Sequence, residues 1–281
     1  MSSSGARSCV ALALALLLGP ATSLEAQQRL FPQVPSFELP EASPRVHGLV
    51  GRLLSARHGD SRFGNEGEAE VALGENVPVL ALQQGHRPIT LGFGSQVYAR
   101  FSLSDSKSAL ISNDWVVGFN GTATVETWAF TLELYHESSH LDDEYEDHFN
   151  ATRLDWTREV AVGWASYASG PWRLTGGLSY TLRDGLGLRR PGSSLGVDFR
   201  SRVSGGLLGS RMHPVLGLFF DANAATAWRV TTSAKAGVSL ETGPGGKEVG
   251  FALIGHSGLS TQRQFFRAES RYLGVEVRVD L

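Results

Sequence analysis

The 281-residue chain carries 25 Lys and Arg against 28 Asp and Glu, a formal net charge of -3, with 33 glycines and one cysteine. So even a balance supplies no basic field for nucleic acid. The lone Cys9 excludes disulfides within the chain and a cysteine-built zinc site, and it lies inside the expected leader, which leaves the mature chain without thiol chemistry.

Residues 1–26 read as a secretory signal peptide. Arg7 precedes an apolar run from Cys9 to Leu18, Gly19-Pro20 breaks it, and small residues lead to Ala26, after which cleavage is expected. The run is shorter than the ~20 residues that a spanning helix needs. Residues 27–45, with Pro32, Pro35, Pro40 and Pro44, lack periodicity and predict an irregular periplasmic segment. From residue 46 to 281 period-two alternation takes over. In 90–103 it sets Leu91, Phe93, Val97, Ala99, Phe101 and Leu103 on one face and Gln96, Tyr98 and Arg100 on the other.

The fold class predicted is all-β, a transmembrane antiparallel barrel of about 12 strands. No later stretch is apolar over a helix length, so a membrane location requires strands. Strands are expected near 46–57, 67–83, 90–104, 113–120, 124–137, 156–168, 171–182, 195–208, 214–222, 228–241, 247–256 and 270–281. Several run to roughly 10 to 13 residues, beyond the usual soluble strand and matched to a tilted crossing of a bilayer. Gly74-Glu75-Asn76 is a point where the second could split. A polar face with Arg100, Gln96 and Glu133 fits a hydrated lumen, and the apolar face then meets outer-membrane lipid.

Tight turns are expected at Asn120-Gly121 and Ser169-Gly170, with short links near 84–87 and 210–213, and long polar loops at 138–155, 183–194 and 257–270. Short turns on one side and long loops on the other put both termini on the periplasmic side. Trp128, Trp164, Trp172 and Trp228 suit an interfacial girdle. The last ten residues alternate without a break, with Leu273, Val275, Val277, Val279 and Leu281 on one face. They resemble the terminal strand that the barrel-assembly machinery recognises, although Leu281 stands where an aromatic is common. Lipids and that machinery are the expected partners, nucleic acid is not, and nothing in the sequence fixes an oligomeric state.

One cluster points to chemistry. Beyond Trp128, Phe130, Leu132 and Leu134, the same alternation brings His136, Ser138 and His140 to the outer face at the rim. A His and a Ser two apart on one face pair a base with a nucleophile, as acyl transfer requires, and a third group orients the imidazole; Asn150 is placed to supply it. These residues resemble those of the outer-membrane phospholipases A and the lipid A deacylases, which carry a lipid-facing His-x-Ser with an Asn or Glu further along. The resemblance implies Ser138 as nucleophile, His136 as base, Asn150 as orienter and a possible calcium cofactor. The phospholipases follow the serine with Asn-Gly, whereas this chain has Ser139-His140.

The run from Tyr135 to Tyr145, together with Gln264-Phe265-Phe266-Arg267, is also similar to an uncharacterised family of bacterial outer-membrane barrels, which implies the fold and no activity. The acidic run at Asp142, Asp143 and Glu144 reads either as a solvated loop or as carboxylates for calcium or magnesium. His136-Glu137-Ser138-Ser139-His140 also spells the His-Glu-x-x-His of zinc proteases. That site needs both histidines on one helical turn, and on a strand they stand about 13 Å apart. His256 and Ser257, adjacent on a strand, point to opposite faces. The sequence therefore leaves an outer-membrane barrel with a structural, surface or narrow transport role as the main expectation and a serine-dependent lipid ester hydrolase as the alternative.

Overall fold

A computed structural model describes residues 27–32, 37–58, 67–84, 87–104, 110–201, 206–207, 210–241 and 248–280. The expected signal peptide and Leu281 lie outside these residues. Twelve long strands are formed: β1 (Leu49–His58), β2 (Gly67–Gln84), β3 (Arg87–Ser102), β4 (Leu110–Val125), β5 (Trp128–Leu141), β6 (Trp156–Ser169), β7 (Trp172–Asp184), β8 (Pro191–Arg200), β9 (Ser210–Asn223), β10 (Thr231–Glu241), β11 (Glu248–Leu259) and β12 (Glu269–Asp280). Each pairs antiparallel with the next, and β12 returns to β1 from Val279↔Leu49 to Ser270↔His58, so the sheet closes on itself. Closure leaves no open edge and satisfies the backbone groups between strands, the condition for crossing lipid.

The alternation seen in sequence is the wall's inside and outside. Along β1 the residues are exposed and buried in strict turn until its end. Leu53, Leu91, Phe93, Phe119, Phe130, Leu134, Leu178, Leu218, Leu253 and Leu273 are exposed outward on strands all round the ring. Gln96, Arg100, Glu68, Glu70 and Glu137 are buried inside. This apolar exterior over a charged interior inverts a soluble barrel and matches a lipid-embedded one.

At the end carrying the short turns, Trp128 lies 5.9 Å from Phe130 and 4.9 Å from Tyr167, and Trp172 lies 5.0 Å from Phe199. Those tryptophans form part of a girdle. Trp164 does not belong to it: it shares the inward parity of Trp156, Val160 and Val162 and lines the lumen.

Two local expectations are corrected. Asn120-Gly121 is not a turn but lies within β4, where Asn120 faces inward and donates to Asn76; the turn falls at Glu126-Thr127, with Glu126 at φ 53°. A polar lumen lets an Asn sit inside a strand without competing for turn geometry. The fifth strand consequently runs on to Leu141 and includes His136, Ser138 and His140. The second strand stays whole across Gly74, with an irregular register against β3 between Pro78 and Leu80. Just before β9, Gly206–Leu207 pairs antiparallel with Ser210 and Arg211, close to the short link expected near 210–213.

Residues before β1 do not hang free. Gln27–Leu30 forms a short strand on Leu80–Gln83 of β2, and 37–48 enters the lumen. Phe37, Pro40, Ala42, Ser43 and Val46 are buried there.

Candidate functional site

The outer wall near the distal rim carries the first candidate. His136, Ser138 and His140 face outward while Glu137, Ser139 and Leu141, between and after them, are buried. Register sets Ser138 between Trp115 of β4 and Thr157 of β6, and His136 between Val117 and Glu159. Residues directly opposite on one face have Cβ atoms about 5 Å apart, so the Glu159 carboxylate is within reach of the His136 imidazole. Glu159 also stands 3.8 Å from Arg183. Sequence reasoning missed it, because strand register is invisible until the sheet is assembled; only the parity of β6 hinted that it faces out.

Asn150 lies in the loop beyond β5. It is the exposed C-cap of α1 (Asp143–Phe149), in the left-handed region at φ 47°, ψ 42°, with its backbone N–H bonded to the Glu146 carbonyl. Among the described residues no hydrogen bond joins His136 to Ser138, Glu159 or Asn150.

The acidic run builds this helix. Asp142 is its N-cap, accepting from the Glu144 N–H at 3.1 Å and the Tyr145 N–H at 3.4 Å. Asp143, Glu144 and Glu146 then complement the positive helix start. Arg153 ties Asp143 and Glu146 together. Tyr145 anchors the helix on Ile111 and Leu141, with Phe265 alongside. Among the described residues no three His, Cys, Asp or Glu side chains converge on a common point.

The lumen is the second candidate. Along one side Arg52 bridges Glu70 and Glu276, and Arg100 bridges Glu70 and Glu68 at 2.6 and 2.7 Å. Into this belt the irregular segment 37–48 inserts its own polar groups. The Glu41 N–H donates to Asp198 at 3.0 Å, its carboxylate meets Lys235 at 3.0 Å, and Arg52 and Arg173 donate to the carbonyls of Pro44 and Leu39. A non-helical, non-strand segment survives at membrane depth because protein side chains satisfy its backbone.

Burial alone would push the Glu41 carboxyl up, but Lys235, Arg278 and Arg173 outweigh it and hold it below the ordinary range. Burial, then Arg278, pushes the His47 imidazole down. Two glycines make room: a Cβ at Gly196 would collide with the Pro40 ring, and one at Gly217 would stand 3.0 Å from the Ala42 nitrogen.

From the opposite end the loop after β11 descends, with a short 3-10 turn at Arg263–Phe265. The two insertions meet. Arg45 pairs with Asp114 at 2.6 Å and Glu137 at 2.9 Å, lies 4.2 Å over the Tyr98 ring and donates to the Thr261 carbonyl; Arg263 takes the same Glu137 at 2.8 Å. Trp156 adds an indole hydrogen bond to Glu137 at 3.1 Å. A cavity of about 240 Å³ remains beside this junction.

The family described as "Protein of unknown function (DUF1207)" matches residues 42–280. The chain belongs to that family. A search of curated proteins returns no match. Among solved structures the chain is similar to outer membrane phospholipase A from Escherichia coli, at 14% identity over 89% of this chain and 94% of that one, with a TM-score of 0.55. It is equally similar to the Salmonella typhi outer membrane phospholipase dimer with bound calcium, at 14% identity, the same coverage and a TM-score of 0.57. At such identity the likeness is one of fold. Together with the apolar belt it makes this family member a β-barrel of the bacterial outer membrane, in contact with its lipids.

Proposed function

We propose that the chain is a closed barrel with a structural or surface role and does not act as an open pore. The observation that supports this is the junction at Glu137, where Arg45 of the inserted segment and Arg263 of the distal loop share one carboxylate inside the lumen. Two independent chain segments fill a barrel whose size already leaves little room between inward side chains. The test is conductance across planar bilayers. Refolded wild type is expected to be silent, and an Arg45→Ala/Gly196→Val double variant, which loosens the segment and removes its space, is expected to pass ions. Steady wild-type conductance at the level of the double variant would overturn the reading.

A second reading rests on the outer wall, where Glu159 lies opposite His136 in register and Ser138 shares their face. It is hydrolysis of lipid acyl esters. Ser138 Oγ would attack the ester carbonyl as His136 takes its proton; the tetrahedral adduct then expels the alcohol, which receives that proton, and water releases the acyl group by the same route. Glu159 stands directly opposite His136 in register and is the group placed to orient it, whereas Asn150 caps α1. Ester release from phospholipid and lipopolysaccharide by the refolded protein decides the matter. Release that is lost in Ser138→Ala and reduced in Glu159→Gln supports a hydrolase; none from wild type, with or without calcium, removes it.

A further inference from the structure

We infer that the lumenal cavity binds a small hydrophilic organic cation, a primary amine carrying hydroxyl groups, with its ammonium held by Glu133. Most of the other strand-borne carboxylates of the lumen come with cations, and Asp221 is bonded to the Ser194 hydroxyl. Glu68 and Glu70 hold Arg100, Glu276 holds Arg52 and Lys235, Asp198 holds Arg173, and Glu137 and Asp114 hold Arg45. Glu133 lines the cavity and has no hydrogen-bond or ion-pair partner among the described residues. A carboxylate set inside protein without a partner is costly, and a bound cation removes that cost.

The protein's own cations do not supply it. Arg45 and Arg263 are committed to Glu137, Arg158 lies 3.6 Å from Asp184, and Arg189 and Arg190 stand exposed where the cavity reaches the distal rim.

The rest of the lining sets the ligand's class. The Trp164 indole N–H and His47 Nδ1 are buried, line the cavity and lack partners among the described residues; the indole calls for an acceptor on the ligand, and a hydroxyl, which both donates and accepts, serves either tautomer of the imidazole. Trp164 is held in place over Gly177, where a Cβ would strike its ring. With Tyr135 it offers an aromatic face suited to an ammonium. Asp221, bonded to the Ser194 hydroxyl at 2.9 Å, adds a second carboxylate to the lining. An inorganic ion finds no converging set of three ligands among the described residues. At about 240 Å³ the cavity falls below the ~300 Å³ at which drug-sized pockets begin, which suits a compact amino polyol. This reading goes beyond the closed-barrel role and stands whether or not the barrel conducts.

The experiment is titration calorimetry on the full refolded chain with glucamine, an open-chain amino polyol, and with sorbitol, its neutral counterpart. Saturable glucamine binding, weaker by about tenfold or more for sorbitol and by a similar factor in Glu133→Gln, is the expected result. Comparing the two ligands on wild type needs no variant to fold. Equal binding of sorbitol and glucamine, undiminished binding in Glu133→Gln, or no saturable glucamine binding at millimolar concentration would each overturn the inference.

Discussion

At the scale of single residues, Arg45 concentrates most consequence. Its guanidinium reaches Asp114 and Glu137 with little exposure to solvent, and removing one partner of such a set strands the others. Arg45→Ala is expected to lower stability by about 3 kcal/mol, read as a shift in urea unfolding from vesicles. Nothing in the sequence marked this arginine, since its Pro-rich surroundings read as a free lead-in and its partners lie 69 and 92 residues away. His136 and Ser138 were legible by contrast, because parity along one strand needs no knowledge of its neighbours. Glu159 was not, since it meets His136 only across a register.

Two residues of the inserted segment also set a pH dependence. His47 has its pKa lowered from 6.5, so the unfolded segment binds a proton that the folded one resists, and stability falls as pH drops through 6.5. Glu41 has its pKa lowered from 4.5, and its contribution is present above that value and lost as pH falls toward the folded one. Both act in one direction. Protease sensitivity of residues 37–48 should therefore rise on acidification in two stages, with the upper stage absent in His47→Asn and the lower absent in Glu41→Gln.

At the scale of elements, the strands were legible because alternation is a local signal, and twelve expected segments became twelve strands. Boundaries slipped where a local rule met the lumen: Asn120-Gly121 has turn chemistry, yet Asn120 bonds Asn76 inside the barrel and β4 continues. The helix α1 was hidden for a different reason. Its acidic first turn reads as a charged loop until Asp142 is seen capping it and Tyr145 anchoring it.

The inserted segment is fitted to the wall at Gly196 and Gly217, small residues on inward positions. A Val at 196 cannot coexist with Pro40 in place, whereas the wall itself tolerates it. Gly196→Val should keep the barrel's β circular dichroism while exposing residues 37–48 to protease; a variant that stays as resistant as wild type would mean that the segment is not held against β8.

For the whole molecule, the parts combine into a lipid-facing cylinder closed from both ends. The outer wall was foreseeable from composition and length of alternation, since apolar faces of this span have no use in water. Closure was not, because it depends on charges far apart in sequence finding one another inside. The most direct test is hydrogen–deuterium exchange across residues 37–48 of the refolded full-length barrel. Slow exchange at Glu41, Ser43 and Gly48, whose amides donate to Asp198, Pro40 and Gly74, is the result expected of a segment built into the lumen. Exchange there as fast as in an unstructured peptide would contradict the closed barrel.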